Sequence, residues 1–313
     1  MESTIKLWDP TTASPSPNDD SESPASQEEV EQIVAFRLDS AFIDLIKEYN
    51  NTLLLRYALV DDRFILRYLR ARCGDISKAI NMLQATLKWR MDFGTDHAIC
   101  WKFPWMEQAK AVYPHGFHKF SKNGYPVYIE RVGLIDVQKL VSVVDTVDQI
   151  VKLHVQLMEY SRSTLFPTAS ARCGRLIDQQ ITIVDLNGLN SSHISKNVYQ
   201  YIKSCAEIDQ KYYPEALNRM FVVNAPFLFS AIWRVIKPWV EPRTSEKISI
   251  TRNGNEDELL KIIDRDCLPD FLGGSDTTFL HSEHEAELRR CSMGERPLGS
   301  QKERLRFALR DAT

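Results

Sequence analysis

The stretch Met220–Ile250, MFVVNAPFLFSAIWRVIKPWVEPRTSEKISI, decides how the chain is read. It opens as a short apolar strand, Met220 to Asn224, and breaks at Ala225-Pro226. In the helix-length segment that follows, Phe227, Phe229, Ile232, Trp233, Ile236 and Trp239 are joined by Leu228, Ala231 and Val235. Together they cover nearly the whole circumference, leaving only Ser230, Arg234 and Lys237 polar. Helices that are apolar all round are buried or touch lipid. At about 13 residues the segment is short of the roughly 20 that a bilayer span needs. On the residues alone, two readings stay open: a core helix, or a mobile apolar wall that meets a membrane surface or a lipid.

The flanks supply the context. Lys247 to Thr251 (KISIT) reads as a strand, with a helix after it at about 255–265. Upstream, Ile181 to Leu186 (ITIVDL) is a buried strand followed by a helix around 195–212. Residues 145–163 look helical, and Asn123-Gly124 is a turn signal leading into the strand Pro126 to Glu130. This alternation predicts βαβ units and an open mixed sheet with helices packed on it.

Before about residue 95 the pattern is helical throughout. Val30, Ile33, Val34, Leu38, Phe42, Leu45 and Ile46 recur at threes and fours. Asp61-Asp62 opens DDRFILRYLRARCGD with acids at the positive end of the helix, Gly74 stops it, and Asp75 caps the next one. Phe64, Ile65, Tyr68 and Leu69 form one face of that helix, while Arg63, Arg67 and Arg70 form another. The expected organisation is a leader at 1–29, a helical domain at 30–95, an α/β domain at 96–280 and a polar tail at 281–313. The leader is rich in Ser, Pro, Asp and Glu and cannot bury enough apolar area to offset its ordering entropy. The tail is read as solvated, or as a weak basic helix on anionic membrane.

Composition narrows the function class. The chain has 313 residues and a net charge of −3, which argues against a dedicated nucleic-acid binder. Charge is uneven: residues 1–29 carry seven acids against Lys6, and residues 289–313 carry seven bases against three acids. The six cysteines are scattered with no Cys-x-x-Cys pair, which predicts neither zinc nor a disulfide framework and points to a reducing, cytosolic compartment. There is no GxxxxGK[ST], GxSxG or HExxH motif, and the histidines, of which His115 and His118 come nearest, form no ligand or base cluster. Asp185, at a strand end before Asn187-Gly188, is read as a turn-former that binds its own backbone. The expectation is no enzyme, no metal and no cofactor.

Taken together, DDRFILRYLRARCGDISKA, LKWRMDFG, NGYPVYIE, ITIVDLNG, YYPEALNRMFVVNAPFLFSAIWRVIKPWV and LPDFLGG resemble the CRAL-TRIO family, of the phosphatidylinositol/phosphatidylcholine transfer type. The likeness runs in unbroken order over about residues 35–275. It implies an α/β fold: a small N-terminal all-helical domain, then a lipid-binding domain in which a mixed sheet floor and surrounding helices enclose an apolar pocket. A gate helix that swings open at membranes falls on residues 227–239.

The resemblance also assigns residues. It places the phosphatidylinositol headgroup on Arg72, Glu215, Thr244 and Lys247, a set whose cations suit phosphate and whose carboxylate and hydroxyl suit sugar hydroxyls. Cys73 stands where relatives often have a lysine. The second-lipid headgroup region falls on Phe117, Tyr128, Gln180 and Thr182. Phe117 and Gln180 depart from the family's tyrosine and serine, so the second ligand is phosphatidylcholine, a sterol or another lipid. The implied protein is a monomer in the cytoplasm, peripheral to membranes (Golgi or endosomal), that exchanges bound phospholipid between membranes. The alternative is a non-transferring module that presents phosphatidylinositol to a lipid kinase or scaffolds a partner.

Overall fold

The structure is a computed structural model and describes residues 25–49, 52, 54, 61–252, 256–281 and 283–293. It divides into two compact units, Met1–Asp96 with Ile208–Glu215, and His97–Glu207 with Ala216–Thr313.

In the first unit, Ser26 starts helix α1 (Gln27–Leu38) with a capping box. Its hydroxyl accepts from the Glu29 N–H, and the Glu29 carboxylate accepts from the Ser26 N–H. Gln27–Glu29 are thus helical although composition assigned them to the leader; residues 1–24 lie outside the described residues. Asp39 caps α2 (Ser40–Glu48), and Asp61, as expected, caps α3 (Asp62–Ala71) through the Arg63 N–H. Cys73 and Gly74 follow at φ 52° and 80°, and Asp75 caps α4 (Ile76–Phe93), which ends at Gly94 in the left-handed region. Phe36, Phe42, Ile65, Leu69, Leu83 and Leu87 fill the core. The second face of α3 is not solvated: Arg63 is buried, and Arg70 pairs with Glu29 at 2.7 Å.

The second unit holds α5 (Met106–Val112), β1 (His115–Phe120), β2 (Pro126–Glu130), α6 (Val137–Val144), α7 (Val147–Tyr160), a π turn (Ser161–Leu165) and α8 (Phe166–Cys173). There follow β3 (Gln180–Asp185), α9 (Lys196–Tyr212, whose last turn belongs to the first unit), β4 (Leu217–Val223) and α10 (Phe229–Ile236). The chain continues through α11 (Pro242–Ser245), β5 (Ile248–Ile250) and α12 (Glu256–Ile262) to α13 (Glu283–Met293). Among the described residues the sheet has five strands in the order β1-β2-β3-β4-β5, antiparallel between β1 and β2 and parallel elsewhere. This is the expected mixed sheet. Asp185 ends β3 by accepting from the Asn187 N–H at 3.0 Å and the Asn224 Nδ2 at 2.8 Å.

Three readings are corrected. The segment 227–239 is not one α-helix, and its apolar residues are not all buried. Its α-helical part is Phe229–Ile236, and a 3-10 turn at Lys237–Trp239 forms around Pro238, which has no N–H for the α ladder. Phe229, Ile232 and Ile236 face inward, whereas Phe227 is 79% exposed and Val235 is exposed as well. The helix read at 145–163 starts at Val147 and is longer than read, passing at Tyr160 into the π turn and on to Cys173. The tail is not wholly solvated either. On α13, Glu285 is buried, with its carboxylate 2.7 Å from Lys110 Nζ and accepting the Phe117 N–H at 2.8 Å. Leu288 joins the core beside Phe117 and Tyr160. Residues 294–313 lie outside the described residues.

Candidate lipid cavity and headgroup positions

Alternation along the strands gives the sheet two unlike faces. Val127, Ile129, Ile181, Ile183, Phe221 and Val223 point to one side and pack solidly with Ala169 of α8, Leu259 of α12, and Leu268 and Leu272. The residues between them point to the other side. Pairing across the sheet aligns Phe117, Tyr128, Thr182, Met220 and Ile248 on a single rung that crosses all five strands. Of the positions assigned to the second lipid, Phe117, Tyr128 and Thr182 are therefore brought together, and Gln180 lies one same-face step along β3 from Thr182.

Each of these four is buried. The Phe117 and Tyr128 rings sit 5.0 Å apart, and the Gln180 Oε1 accepts from the Ser161 hydroxyl at 2.8 Å. That bond ties the departure at Gln180 to the first residue of the π turn, a kind of irregularity frequent at functional sites.

Further along the same face, Glu130, Val184, Leu186, Met220 and Val222 border a cavity of about 490 Å³. Leu140 and Val144 of α6, Val198 and Tyr201 of α9, and Phe229, Ile232, Trp233 and Ile236 of α10 complete the wall. The cavity is within the size range of small-molecule sites and is lined mainly by apolar side chains. Four of the residues assigned to the gate therefore line it. Trp239 is half-buried and packs edge-on against Tyr199 at 6.0 Å. Phe227 points outward, with the Arg252 guanidinium 3.9 Å above its ring.

One polar group in the wall was missed from the sequence. The Tyr113 hydroxyl donates to Glu130 Oε1 at 2.7 Å, and Tyr201 hydrogen-bonds Tyr113. Burial first, and the Glu130 carboxylate second, push the Tyr113 hydroxyl well above its ordinary range. Burial does the same to Tyr201, so both stay neutral donors. The period-2 pattern of PVYIE places Glu130 beside Tyr128 but gives no sign of partners from two other elements.

The four positions assigned to the inositol headgroup are divided between the units. In the first unit, the Arg72 Nη1 donates to the Ala71 carbonyl at 2.7 Å. Glu215 adopts φ 55°, with its carbonyl 3.3 Å from the Arg67 Nη2. In the second unit, Thr244 lies on α11 and its carbonyl accepts the Lys247 N–H. The Lys247 Nζ donates to the Leu217 carbonyl at 2.9 Å. All four are half-buried. Among the described residues, no helix is long and apolar enough to cross a membrane.

Comparison with known proteins bears on this geometry. The CRAL/TRIO domain model matches residues 110–274, and the CRAL/TRIO N-terminal domain model matches residues 25–85. A phosphatidylinositol/phosphatidylcholine transfer protein of Arabidopsis thaliana, SFH12, is 36% identical over 251 residues, covering 80% of this chain and 44% of its own. A second from the same plant, SFH7, is 40% identical over 215 residues, covering 68% and 39%. The Sec14 cytosolic factor of Schizosaccharomyces pombe is 36% identical over 217 residues, covering 69% and 75%. The chain thus spans less than half the length of the plant relatives. The crystal structure of Sfh5 superposes with a TM-score of 0.57 at 19% identity over 74% of this chain and 83% of that one, a likeness of fold. The domain model covers more than half of the 313 residues and the sheet and helices agree with it, so the chain belongs to the CRAL/TRIO family.

Proposed function

We propose that the chain is a lipid carrier that takes one phosphatidylinositol molecule from a membrane, houses its acyl chains in the cavity over the sheet, and exchanges it for a second lipid. The observation that carries this reading is the hollow face of the sheet, closed by α10 through Phe229, Ile232, Trp233 and Ile236. Relatives named as phosphatidylinositol/phosphatidylcholine transfer proteins support it. Retention comes from burial, at about 0.8 kcal/mol per chain methylene moved out of water. Selectivity comes from the headgroup positions, because a buried donor or acceptor left unpaired is costly.

Arg72 and Lys247 bind phosphate oxygens, while Glu215 and Thr244 bind inositol hydroxyls. Phe117, Tyr128, Gln180 and Thr182 set the choice of second lipid. With the serine hydroxyl of the family replaced by Gln180 and already bonded to Ser161, the second ligand is selected for a different headgroup shape. The helix α10 acts as the gate, and Phe227, capped by Arg252, meets the headgroup layer of the membrane. The protein works as a cytoplasmic monomer, peripheral to membranes, and makes and breaks no covalent bond.

The test is transfer of labelled phosphatidylinositol between vesicles by the purified chain, with mass spectrometry of the lipids it extracts from mixed cell membranes. Arg72→Ala or Lys247→Ala abolishes transfer of inositol lipid while the melting midpoint stays within about 2 °C of wild type, since neither side chain lies in the core. Equal loss of every ligand would count against the headgroup assignment. Activity that arises only with a partner lipid kinase would favour a presenting module over a carrier.

A further inference from the structure

Within the first unit, Arg72 shares a groove of about 320 Å³ with Lys78, Asn81, Lys211 and Tyr212, floored by Met82 and Ala85. Its lining holds three cations and no carboxylate. Lys78 is committed to its own helix, with its Nζ 2.8 Å from the Asp75 carboxylate at the cap of α4. The backbone of Lys211 is set by long-range packing. It belongs to the last turn of α9, where the carbonyl end of the helix favours a cation. Its carbonyl accepts from the Thr86 hydroxyl at 3.4 Å. The next residue, Tyr212, stacks on Trp89 at 4.2 Å with the rings 4° from parallel, and Tyr213 meets the same indole edge-on at 5.9 Å.

Thr86 and Trp89 lie on α4, the helix that also carries Lys78, Asn81, Met82 and Ala85. The backbone bearing Lys211 is therefore anchored twice to the helix that forms the rest of the groove. Such an arrangement exists before any ligand arrives and does not have to be ordered on binding. A groove whose lining holds cations and no carboxylate favours anions, even with Lys78 partly offset by Asp75. An amide and a phenol in the same lining suit hydroxyls next to that anion. The complementary ligand is a phosphate ester of a small polyol.

We propose that Lys211 is a further phosphate-binding cation of the inositol-lipid site, beside Arg72 in this groove. The proposal rests on the carrier reading and adds to it a residue outside the four headgroup positions. Cys73, beside Arg72, is exposed and supplies no positive charge; Lys211 supplies it from a different helix.

The experiment uses the full chain and vesicles containing fluorescent phosphatidylinositol. Lys211→Ala slows its transfer roughly tenfold, the cost of one charge-assisted hydrogen bond, and Lys211→Arg retains most of the rate. The melting midpoint reports on the fold, because the Thr86 and Tyr212 anchors do not involve the Lys211 side chain. Phosphatidylinositol transfer by Lys211→Ala at the wild-type rate overturns the proposal and leaves the carrier reading standing. Absence of transfer by the wild type overturns the carrier reading itself. A parallel titration with free inositol 1-phosphate separates the two sources of phosphate. If Lys211→Ala weakens binding of the free ester but leaves lipid transfer intact, the groove serves a soluble anion and the lipid assignment is wrong.

Discussion

The two faces of the sheet come from the same strands and have opposite fates. Ile183 and Val184 are neighbours on β3, yet Ile183 is fully enclosed by the solid cluster and Val184 borders the cavity. What separates them is the covering layer. Over the solid face, α8, α12 and the segment around Leu268 and Leu272 press directly on the strands. Over the other, α6, α9 and α10 stand off and line a cavity of about 490 Å³. A sheet can thus spend one face on stability and keep the other for a ligand, because a side-chain period of two separates the sets residue by residue.

This contrast breaks most severely on the solid side. Ile183→Ala should cost roughly 2–5 kcal/mol, the range for a core truncation, and lower the melting midpoint by about 5 °C or more. Val184→Ala should cost about 1 kcal/mol or less, since its side chain is half-buried and faces a space that already exists. Equal losses in calorimetry would show that the two faces are packed alike.

An intermediate effect concerns the clamp over the solid face. Asp276 is bound by Lys119 Nζ and accepts from the Thr278 N–H at 2.6 Å and its hydroxyl at 2.7 Å. Burial raises its pKa, but these bonds outweigh burial and bring it down to about 2. A carboxyl depressed in the folded state adds stability that is complete above its unfolded pKa of about 4 and is lost as pH falls toward 2. The stake is roughly 2 kcal/mol. Asp276→Asn should therefore be less stable than wild type at pH 7, and the two should converge by about pH 2 in thermal melts.

On the hollow side added bulk also has a small effect on stability, about 1 kcal/mol, because it enters space that already exists. Val184→Phe fills space that a ligand would use and should leave the fold intact while markedly reducing lipid uptake, measured as lipid bound per protein after incubation with vesicles. A large fall in melting midpoint would mean that the cavity wall cannot yield.

Much of this was legible in the sequence because it rests on period. PVYIE and ITIVDL alternate cleanly, and β2 and β3 fall within a residue of where they were expected. β1 was not seen, for HGFHKF places His118 and Lys119 among its apolar residues, and Lys119 adopts φ 52° at an irregularity in the register. The packing of α13 leaves no mark in the sequence, because its anchors are a single leucine and a carboxylate rather than an apolar stripe. Glu285 takes its place against Gly116, where a Cβ would approach its Oε1 to 2.5 Å and oblige the carboxylate to shift. The Tyr113–Glu130 pair joins elements 17 residues apart and leaves no local pattern. Phe117, Tyr128 and Thr182 were singled out by resemblance; the pairing of the strands then places them on one rung.

The π turn at Ser161–Leu165 has a bearing on how the chain tolerates change. Before it, Leu157 and Tyr160 of α7 pack beside Phe117 and Tyr128; after it, Ala169 of α8 packs into the solid cluster. One continuous helical rod therefore contributes to both cores, and the wide turn resets its angular phase between them. Each residue of an α-helix advances the face by about 100°. Removing one residue between 161 and 165 would swing Ala169 and its neighbours away from their partners without altering the composition of either core. The chain should accept substitutions at the half-buried positions 162–164 more readily than at the buried Ser161 and Leu165, and hardly any change in the length of the turn.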